Sequence, residues 1–447
     1  MKRLIAVLAV LTMITAVLAG CEMVGSAQQN NLNSATSAVD TGKATESTEK
    51  SSRPVTLNYT IFGSDANKKM YNDMTVKFKE KYPNVDVEVR TVPWGDYQQK
   101  ITIEIAANQA PDMAWLAEDH IPQFMYYGLL ADITEFKDDP EYNFEDIYTS
   151  VLSLVTKDNR LYGIPFSTPP IMIVYNKTLF KEKNLKTPME LYKEGKWNYD
   201  EFLKAAIAIT DKSKGIYGVS IVSDWAVWST PIYALLRANG GEVLSEDGHQ
   251  FLLNSPEGEK TLQFFSDLIF KHNVHPMPGD VLNLPSGKVG MSISMYSGVN
   301  SAQNIKDFEW GIAPMPEGEK GNGVWNGYAG ISIFKSSKEP EMAKEYLKFI
   351  TSTDGFKVSS KFFVPCRKSV LESDEFLNQY ANPSADDVKV TLLDQLEKSS
   401  PKRSHPQWTK INDAIKIGFD MIYTQSATVK EALEKMEKDV NAILNAK

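Results

Sequence analysis

The chain has 447 residues, with 57 acidic against 48 basic side chains and a formal charge of −9. That acidic balance disfavours nucleic-acid binding, which needs clustered Lys and Arg. A chain this long exceeds one simple core, so two lobes are expected, and 2 cysteines supply no disulfide framework, so stability has to come from burial.

The amino terminus decides the compartment. Lys2 and Arg3 are followed by an apolar run from Leu4 to Ala19, broken only by Thr12 and Thr15. A basic start and a short apolar run make a secretory signal, too short for a membrane span. The run ends in Leu18-Ala19-Gly20-Cys21. This resembles the lipobox of bacterial lipoproteins, which implies a signal peptide over 1–20, cleavage before Cys21 and a lipid on its thiol. The protein is then held by lipid to the outer face of the cell membrane. Loss of Lys2 and Arg3 takes the charge from −9 to −11. Residues 21–53 are rich in Ser, Thr, Asn, Gln and Ala and read as a flexible tether, with a root-mean-square reach of roughly 30 Å. Cys366 is left without an intramolecular partner.

Val55, Leu57, Tyr59 and Ile61 alternate with polar residues, which is strand period. Gly63-Ser64-Asp65 breaks that strand. Met70, Met74, Phe78 and Tyr82 follow at helical spacing and stop at Pro83-Asn84. Val85, Val87 and Val89 form a second strand, Tyr97 to Ala107 a second helix and Met113 to Leu116 a third strand. This order predicts a parallel sheet with helices on both faces. Ligands bind beyond the carboxyl ends of such strands, which points at Gly63 to Asp65 and at Trp115 to His120. Ile171 to Tyr175 begins a new strand, and the chain is expected to cross between lobes at Gly163 to Pro165, at Trp310 to Pro316 and at Val364-Pro365. A helix-rich stretch runs to about Phe270, Ile331 to Phe334 reads as a strand, and Pro340 to Thr351 and Val429 to Leu444 read as amphipathic helices.

Several chemistries lack their motifs. There is no phosphate loop of the form GxxxxGKS/T, no HExxH and no GxSxG. His272 and His275 have polar flanks and no nearby second pair of ligands, so they read as a surface turn. No catalytic residue, metal or cofactor is assigned. The 8 Trp residues stand out instead. Trp94, Trp115, Trp225, Trp228, Trp325 and Trp408 fall in or beside predicted loops. Sugars offer C–H faces to aromatic rings and hydroxyls to carboxylates and amides. The alternative for each ring is that it fills the core.

Phe78-Lys-Glu-Lys-Tyr-Pro-Asn-Val, Ala110-Pro-Asp-Met, Gly128-Leu-Leu-Ala-Asp-Ile-Thr, Leu161-Tyr-Gly-Ile-Pro-Phe, Tyr175-Asn-Lys, Trp197-Asn-Tyr-Asp-Glu-Phe, Gly287-Lys-Val-Gly-Met and Ala343-Lys-Glu-Tyr-Leu-Lys-Phe-Ile occur in that order. Together they resemble the extracellular solute-binding proteins of ABC importers, in the sugar-binding, maltose-binding-protein-like group. The resemblance implies an α/β, periplasmic-binding-protein-like fold. Its two lobes would each hold a mostly parallel sheet flanked by helices and would join at a multi-strand hinge. The first lobe would span 54–163 plus about 312–365, the second about 165–310 plus 366–447. It also implies ligand contacts. Ser64 lies at the first strand end. Trp115, Glu118 and Asp119 follow the Pro-Asp strand, and Phe166 and Ser167 lie near the hinge. Tyr296 stands in a loop whose usual Trp is missing, Trp325 and Tyr328 lie at a cleft edge, and Arg367 lies in a Pro-x-Arg stretch. Trp94, Trp225, Trp228 and Trp408 join them as aromatic candidates.

The resemblance makes the protein a monomeric receptor that passes a mono- or oligosaccharide to a permease driven by a separate ATPase. A polyamine or peptide receptor on the same fold is a second reading, kept open by Glu118, Asp119 and Asp224. A secreted carbohydrate-active enzyme is a third. The lipobox is testable by itself. Cys21→Ser removes the acceptor thiol, and the variant is expected to be released or left unprocessed. A variant that still fractionates as an acylated membrane protein contradicts this reading of Cys21.

Overall fold

Strand alternation builds the first sheet. The computed structural model describes residues 53–222, 228–277, 279–280 and 282–446. β1 (Val55–Phe62) buries Val55, Leu57, Tyr59 and Ile61 and exposes Thr56 and Asn58. It runs parallel to β2 (Val85–Val92), in register from Val55 opposite Val85 to Phe62 opposite Val92. The intervening α1 (Asp65–Lys81) starts where the sequence breaks. The Ser64 hydroxyl accepts from the Asn67 amide, and the Asn67 side chain accepts from the Ser64 N–H, which satisfies free donors of the first turn. α2 (Trp94–Ala106) returns the chain to β3 (Met113–Ala117), again parallel to β1. After α3 (Ile121–Tyr126) comes a short hairpin, β4 (Thr156–Lys157) with β5 (Arg160–Leu161), and then β6 (Ile164–Ser167).

The second sheet opens with β7 (Ile171–Asn176) and adds β8 (Tyr217–Ser220), β9 (Val289–Met295) and β10 (Trp310–Ala313). β11 (Ala329–Ile333) then goes back to the first sheet. Among the described residues the strand orders are β2-β1-β3-β11-β6 and β10-β7-β9-β8. The expected parallel sheets are in fact mixed. β11 is antiparallel to both β3 and β6, and β7 is antiparallel to both β9 and β10. Parallel neighbours need a crossover helix within one lobe. Strands that leave or re-enter at the lobe junction have no such crossover and meet head to tail.

Sheet membership also moves the crossings. Thr168 to Pro170 is the first, between β6 and β7; Pro314 to Tyr328 is the second, between β10 and β11. Trp310 to Ala313 lies wholly in the second sheet, so it is a strand of that lobe and no crossing. Residues 340–377 stay with the first lobe, where Tyr346 bonds to Thr75 and Tyr148 to Glu372. The third crossing follows Leu377, and the Asn382 side chain then donates to the Trp310 carbonyl of the second lobe. Val364 is therefore no crossing, and Gly163 to Pro165 leads into and forms part of the first sheet. β7 ties the lobes together: Ile171, Ile173 and Tyr175 join the core of the second lobe, while Met172 and Val174 join the core that contains the first sheet.

Burial changes the expectation for Arg367 and agrees with the reading of Cys366. Arg367 lies inside the first lobe. Its Nε donates to the Thr351 carbonyl and its two Nη atoms to the carbonyls of Asn143 and Tyr142, each at 2.8 Å. It ties three loops and has no donor group facing a cleft, because its side chain is fully enclosed. Cys366 donates to the Pro165 carbonyl at 2.8 Å, and burial pushes its thiol up to about 12, so it stays a spectator thiol.

His275 is buried, not part of a surface turn. Its Nε2 accepts from the backbone N–H groups of Ile221 and Val222 at 2.9 and 3.2 Å, and Nδ1 faces the Pro276 carbonyl at 2.6 Å. A proton on Nε2 would point at two donors. Burial pushes His275 down to about 4 from 6.5; burial does the same to His120, against an opposing pull from Glu118. Both rings are thus neutral in the fold while the unfolded chain takes up protons below 6.5. Their contribution is complete above pH 6.5 and is lost as pH falls from 6.5 to about 4. Each histidine adds a slope of up to about 1.4 kcal/mol per pH unit in that window. Urea unfolding at pH 7, 6 and 5 should show the decline, and His275→Asn should make it shallower. Equal slopes for the two proteins contradict the assignment.

Candidate functional site

The carboxyl ends of β1, β2 and β3 bring aromatic rings together. Phe62 ends β1, and Trp94 opens α2 one residue after Pro93. Their rings meet edge to face at 4.7 Å, and Phe62 meets Trp115 of β3 at 5.2 Å. The rings differ in what they leave free. Trp115 is 1% exposed and has Phe166 stacked on it at 4.5 Å, with Phe363 edge-on at 5.2 Å. Its Nε1 donates to the Tyr71 hydroxyl at 3.3 Å. Trp94 is 60% exposed and rests on Phe62. Trp115 and Phe166 are therefore the bed of an aromatic wall, and Trp94 is the ring with a face to offer. Gly63 suits the same place, because a Cβ there would lie 2.9 Å from the Asn67 side chain and 3.3 Å from the Trp115 ring.

Glu118 and Asp119 follow directly after β3. Glu118 Oε2 accepts the Tyr328 N–H at 3.4 Å, which joins this strand end to the second crossing. Glu118 Oε1 lies 3.1 Å from Lys402 Nζ, and Asp119 Oδ1 lies 4.0 Å from it. Asp119 Oδ1 is enclosed and has no hydrogen-bond partner. Lys402 belongs to the second lobe, since its neighbours Ser400 and Pro401 are bound through their carbonyls by Arg237. Its ammonium also reaches Ser229 Oγ at 3.2 Å and sits 4.8 Å from the Trp325 ring centre. Burial works to strip that ammonium of its proton. The charges of Asp119 and Glu118 outweigh it and hold Lys402 above its ordinary value. A second contact between the lobes joins the Gln98 amide of α2 to the Thr409 hydroxyl at 3.3 Å.

The other expected residues divide by environment. Ser64 is exposed at the first strand end, its hydroxyl engaged with Asn67. Ser167 is buried in β6 opposite Ala329. Trp325 is buried, donates to the Thr230 carbonyl and lies under Lys402. Tyr328 is buried with a hydroxyl that has no partner. Tyr296 is buried and packs on Phe376. Trp228 bonds to Asn412 at 2.8 Å and packs on Phe419 at 5.0 Å, inside the second lobe; Trp408 is buried in the same core. Both rings pack into the core of the second lobe. Trp225 and Cys21 lie outside the described residues.

Sequence reasoning missed Lys402, Phe62 and Phe363. The strand-end rule reached Gly63 and would have reached Phe62 one residue earlier. Lys402 sits in Pro401-Lys402-Arg403, outside any helix or strand, and periodicity cannot mark it. Among the described residues no group of three His, Cys, Asp or Glu side chains could hold a metal ion.

Two mixed α/β lobes with three crossings and polar and aromatic groups at the strand ends define a two-lobed binding protein. Residues 60–355 match the family model for the bacterial extracellular solute-binding protein, and the chain belongs to that family. The arabinooligosaccharide-binding protein of Bacillus subtilis is 23% identical over 82% of this chain and 87% of its own length. An ABC substrate-binding protein of Listeria monocytogenes, solved with cycloalternan, superposes with a TM-score of 0.77 at 22% identity and covers 88% of this chain and 100% of that one. UgpB of Mycobacterium tuberculosis, solved with glycerophosphocholine, gives 0.76 at 18%, with 88% and 99% covered.

The exposures predict opposite effects for two tryptophans. Trp94→Ala should weaken a ligand identified by library screening by about 2 kcal/mol if the ring is a contact anchor, and leave stability within about 0.5 kcal/mol. Trp228→Ala should destabilise by about 3–5 kcal/mol as a core truncation. Calorimetric titration and urea unfolding of both variants separate the two roles. Unchanged affinity in a folded Trp94→Ala protein removes Trp94 from the site.

Proposed function

We propose that this protein is a carbohydrate receptor, anchored through lipid on Cys21, that hands its solute to the permease of an ABC importer. One observation carries the reading: an exposed Trp94 ring backed by Phe62, at the same carboxyl edge of the sheet as the Glu118-Asp119 strand end. The ring suits the C–H face of a sugar, and the carboxylates suit its hydroxyls. The Bacillus subtilis relative named for arabinooligosaccharide supports it, as does the Listeria monocytogenes protein solved with cycloalternan.

The lobes give binding a mechanical output. Three crossings allow bending and block free rotation, so the motion is hinge closure. Closure is favoured only by a ligand that touches both lobes, because a ligand held by one has no differential affinity for the closed state. Trp94, Glu118 and Asp119 belong to the first lobe, Trp325 and Lys402 to the second side of the cleft. The closed shape is then the signal read by the permease, and hydrolysis of ATP by a separate subunit reopens it.

Thermal-shift screening of residues 54–447 against mono- and oligosaccharides tests this. One sugar should stabilise the protein, with about 2.7 kcal/mol at 100-fold excess over Kd. The same sugar should be recovered intact after prolonged incubation. No stabilising carbohydrate in a broad library sinks the proposal, and release of hydrolysed product moves the protein to the enzymes.

A further inference from the structure

Lys402 is a lysine with only 4% of its side chain exposed. An ammonium leaves water at an acceptable cost only when it is paired and hydrogen-bonded. Its partners come from both sides of the cleft. Ser229 Oγ and the Trp325 ring stand on its own lobe; Glu118 Oε1 at 3.1 Å and Asp119 Oδ1 at 4.0 Å stand on the other. An aromatic face plus carboxylates is the arrangement that recognises an organic cation. Here the protein provides that cation from its own chain.

We infer that Lys402 sets the charge specificity of the cleft: a tethered cation that fills the place of a ligand ammonium, so that the cleft takes uncharged polyhydroxyl solutes and refuses amines. The inference rests on the cleft assignment above and is independent of which sugar binds. A group tethered in the same molecule competes at an effective concentration of about millimolar or higher, so a dilute free amine loses to it. A hydroxyl ligand does not have to compete. Asp119 Oδ1 is enclosed without a hydrogen-bond partner, so a sugar hydroxyl brought in as the lobes close would satisfy it while the ammonium keeps its bond to Glu118. The polyamine reading rested on Glu118, Asp119 and Asp224; Lys402 already engages the first two, and Asp224 lies outside the described residues.

Two substitutions separate charge from packing. Lys402→Met keeps a long apolar stem on Trp325 and removes the ammonium; Lys402→Arg keeps a cation. Putrescine is the probe, titrated by calorimetry and by thermal shift at low ionic strength. Wild type and Lys402→Arg should show no binding, and Lys402→Met should bind putrescine at least about ten-fold more tightly than wild type. A wild-type protein that binds putrescine as tightly as Lys402→Met overturns the inference. So does a folded Lys402→Met protein that gains no affinity. Where Lys402→Met does not fold alone, refolding with putrescine decides: rescue by putrescine and not by equal ionic strength of sodium chloride supports the inference, and no rescue overturns it. A wild type that binds no sugar, beside a Lys402→Met that gains putrescine, leaves the exclusion of amines by Lys402 standing and removes both the carbohydrate reading and the preference for polyhydroxyl solutes.

Discussion

The first sheet depends on a strand that the chain makes late. β11 lies between β3 and β6 and is hydrogen-bonded to both. Without it, β6 has no partner in that sheet, and the edge of β3 that leads to Glu118 is open. The same insertion fixes the second crossing. Ile171 N–H donates to the Trp325 carbonyl and Gly327 N–H to the Pro169 carbonyl, so the first and second crossings are laced to each other just before β11 begins. The cleft floor is thus made of backbone that serves two lobes at once. Its geometry is held by ladder hydrogen bonds, and each of those in a buried setting is costly to leave unmade.

On that floor the proposed site would separate two kinds of recognition. Apolar contact would be offered by rings at the ends of β1 and β2, where the exposed Trp94 rests on the half-buried Phe62, itself packed on the buried Trp115. Polar contact is offered at the end of β3, where carboxylates face an ammonium from the other lobe. Contact with Phe62 restrains the Trp94 ring and would lower the ordering cost of binding. The charged cluster has the opposite character. It draws groups out of water, so its members need each other, and a ligand must supply hydrogen bonds at least as good as those it displaces.

Much of this was legible in the residues. Alternation in Val55 to Ile61 and Val85 to Val89, with the helical spacing of Met70 to Tyr82 between them, gives the first β-α-β unit directly. The rule for strand ends then points to Gly63 and to Trp115 to His120. Strand direction was harder. Nothing local distinguishes β6 or β11 from a parallel strand, because direction there is set by where the chain comes back from, many residues away. Tryptophans were harder still. Trp94 and Trp228 both sit near loop residues, and only packing tells a platform from a filler. His275 looked exposed because its sequence neighbours are polar, yet its surroundings come from Ile221 and Val222. Lys402 had no signal, since a buried lysine is defined by partners brought from the far side of the cleft.

The position of β11 has a consequence for how the chain is made. During synthesis β1, β2, β3 and β6 emerge long before residue 329, and the sheet they belong to cannot be completed until β11 follows. The whole second sheet is produced in that interval. Pairings so distant in sequence form slowly, because loop closure has to come before the contacts that reward it. A nascent chain that stops short of β11 therefore carries an incomplete first sheet with an unpaired β3 edge. The order of strands thus leaves the first sheet unfinished until nearly three quarters of the chain has been made, while every strand of the second sheet is already present.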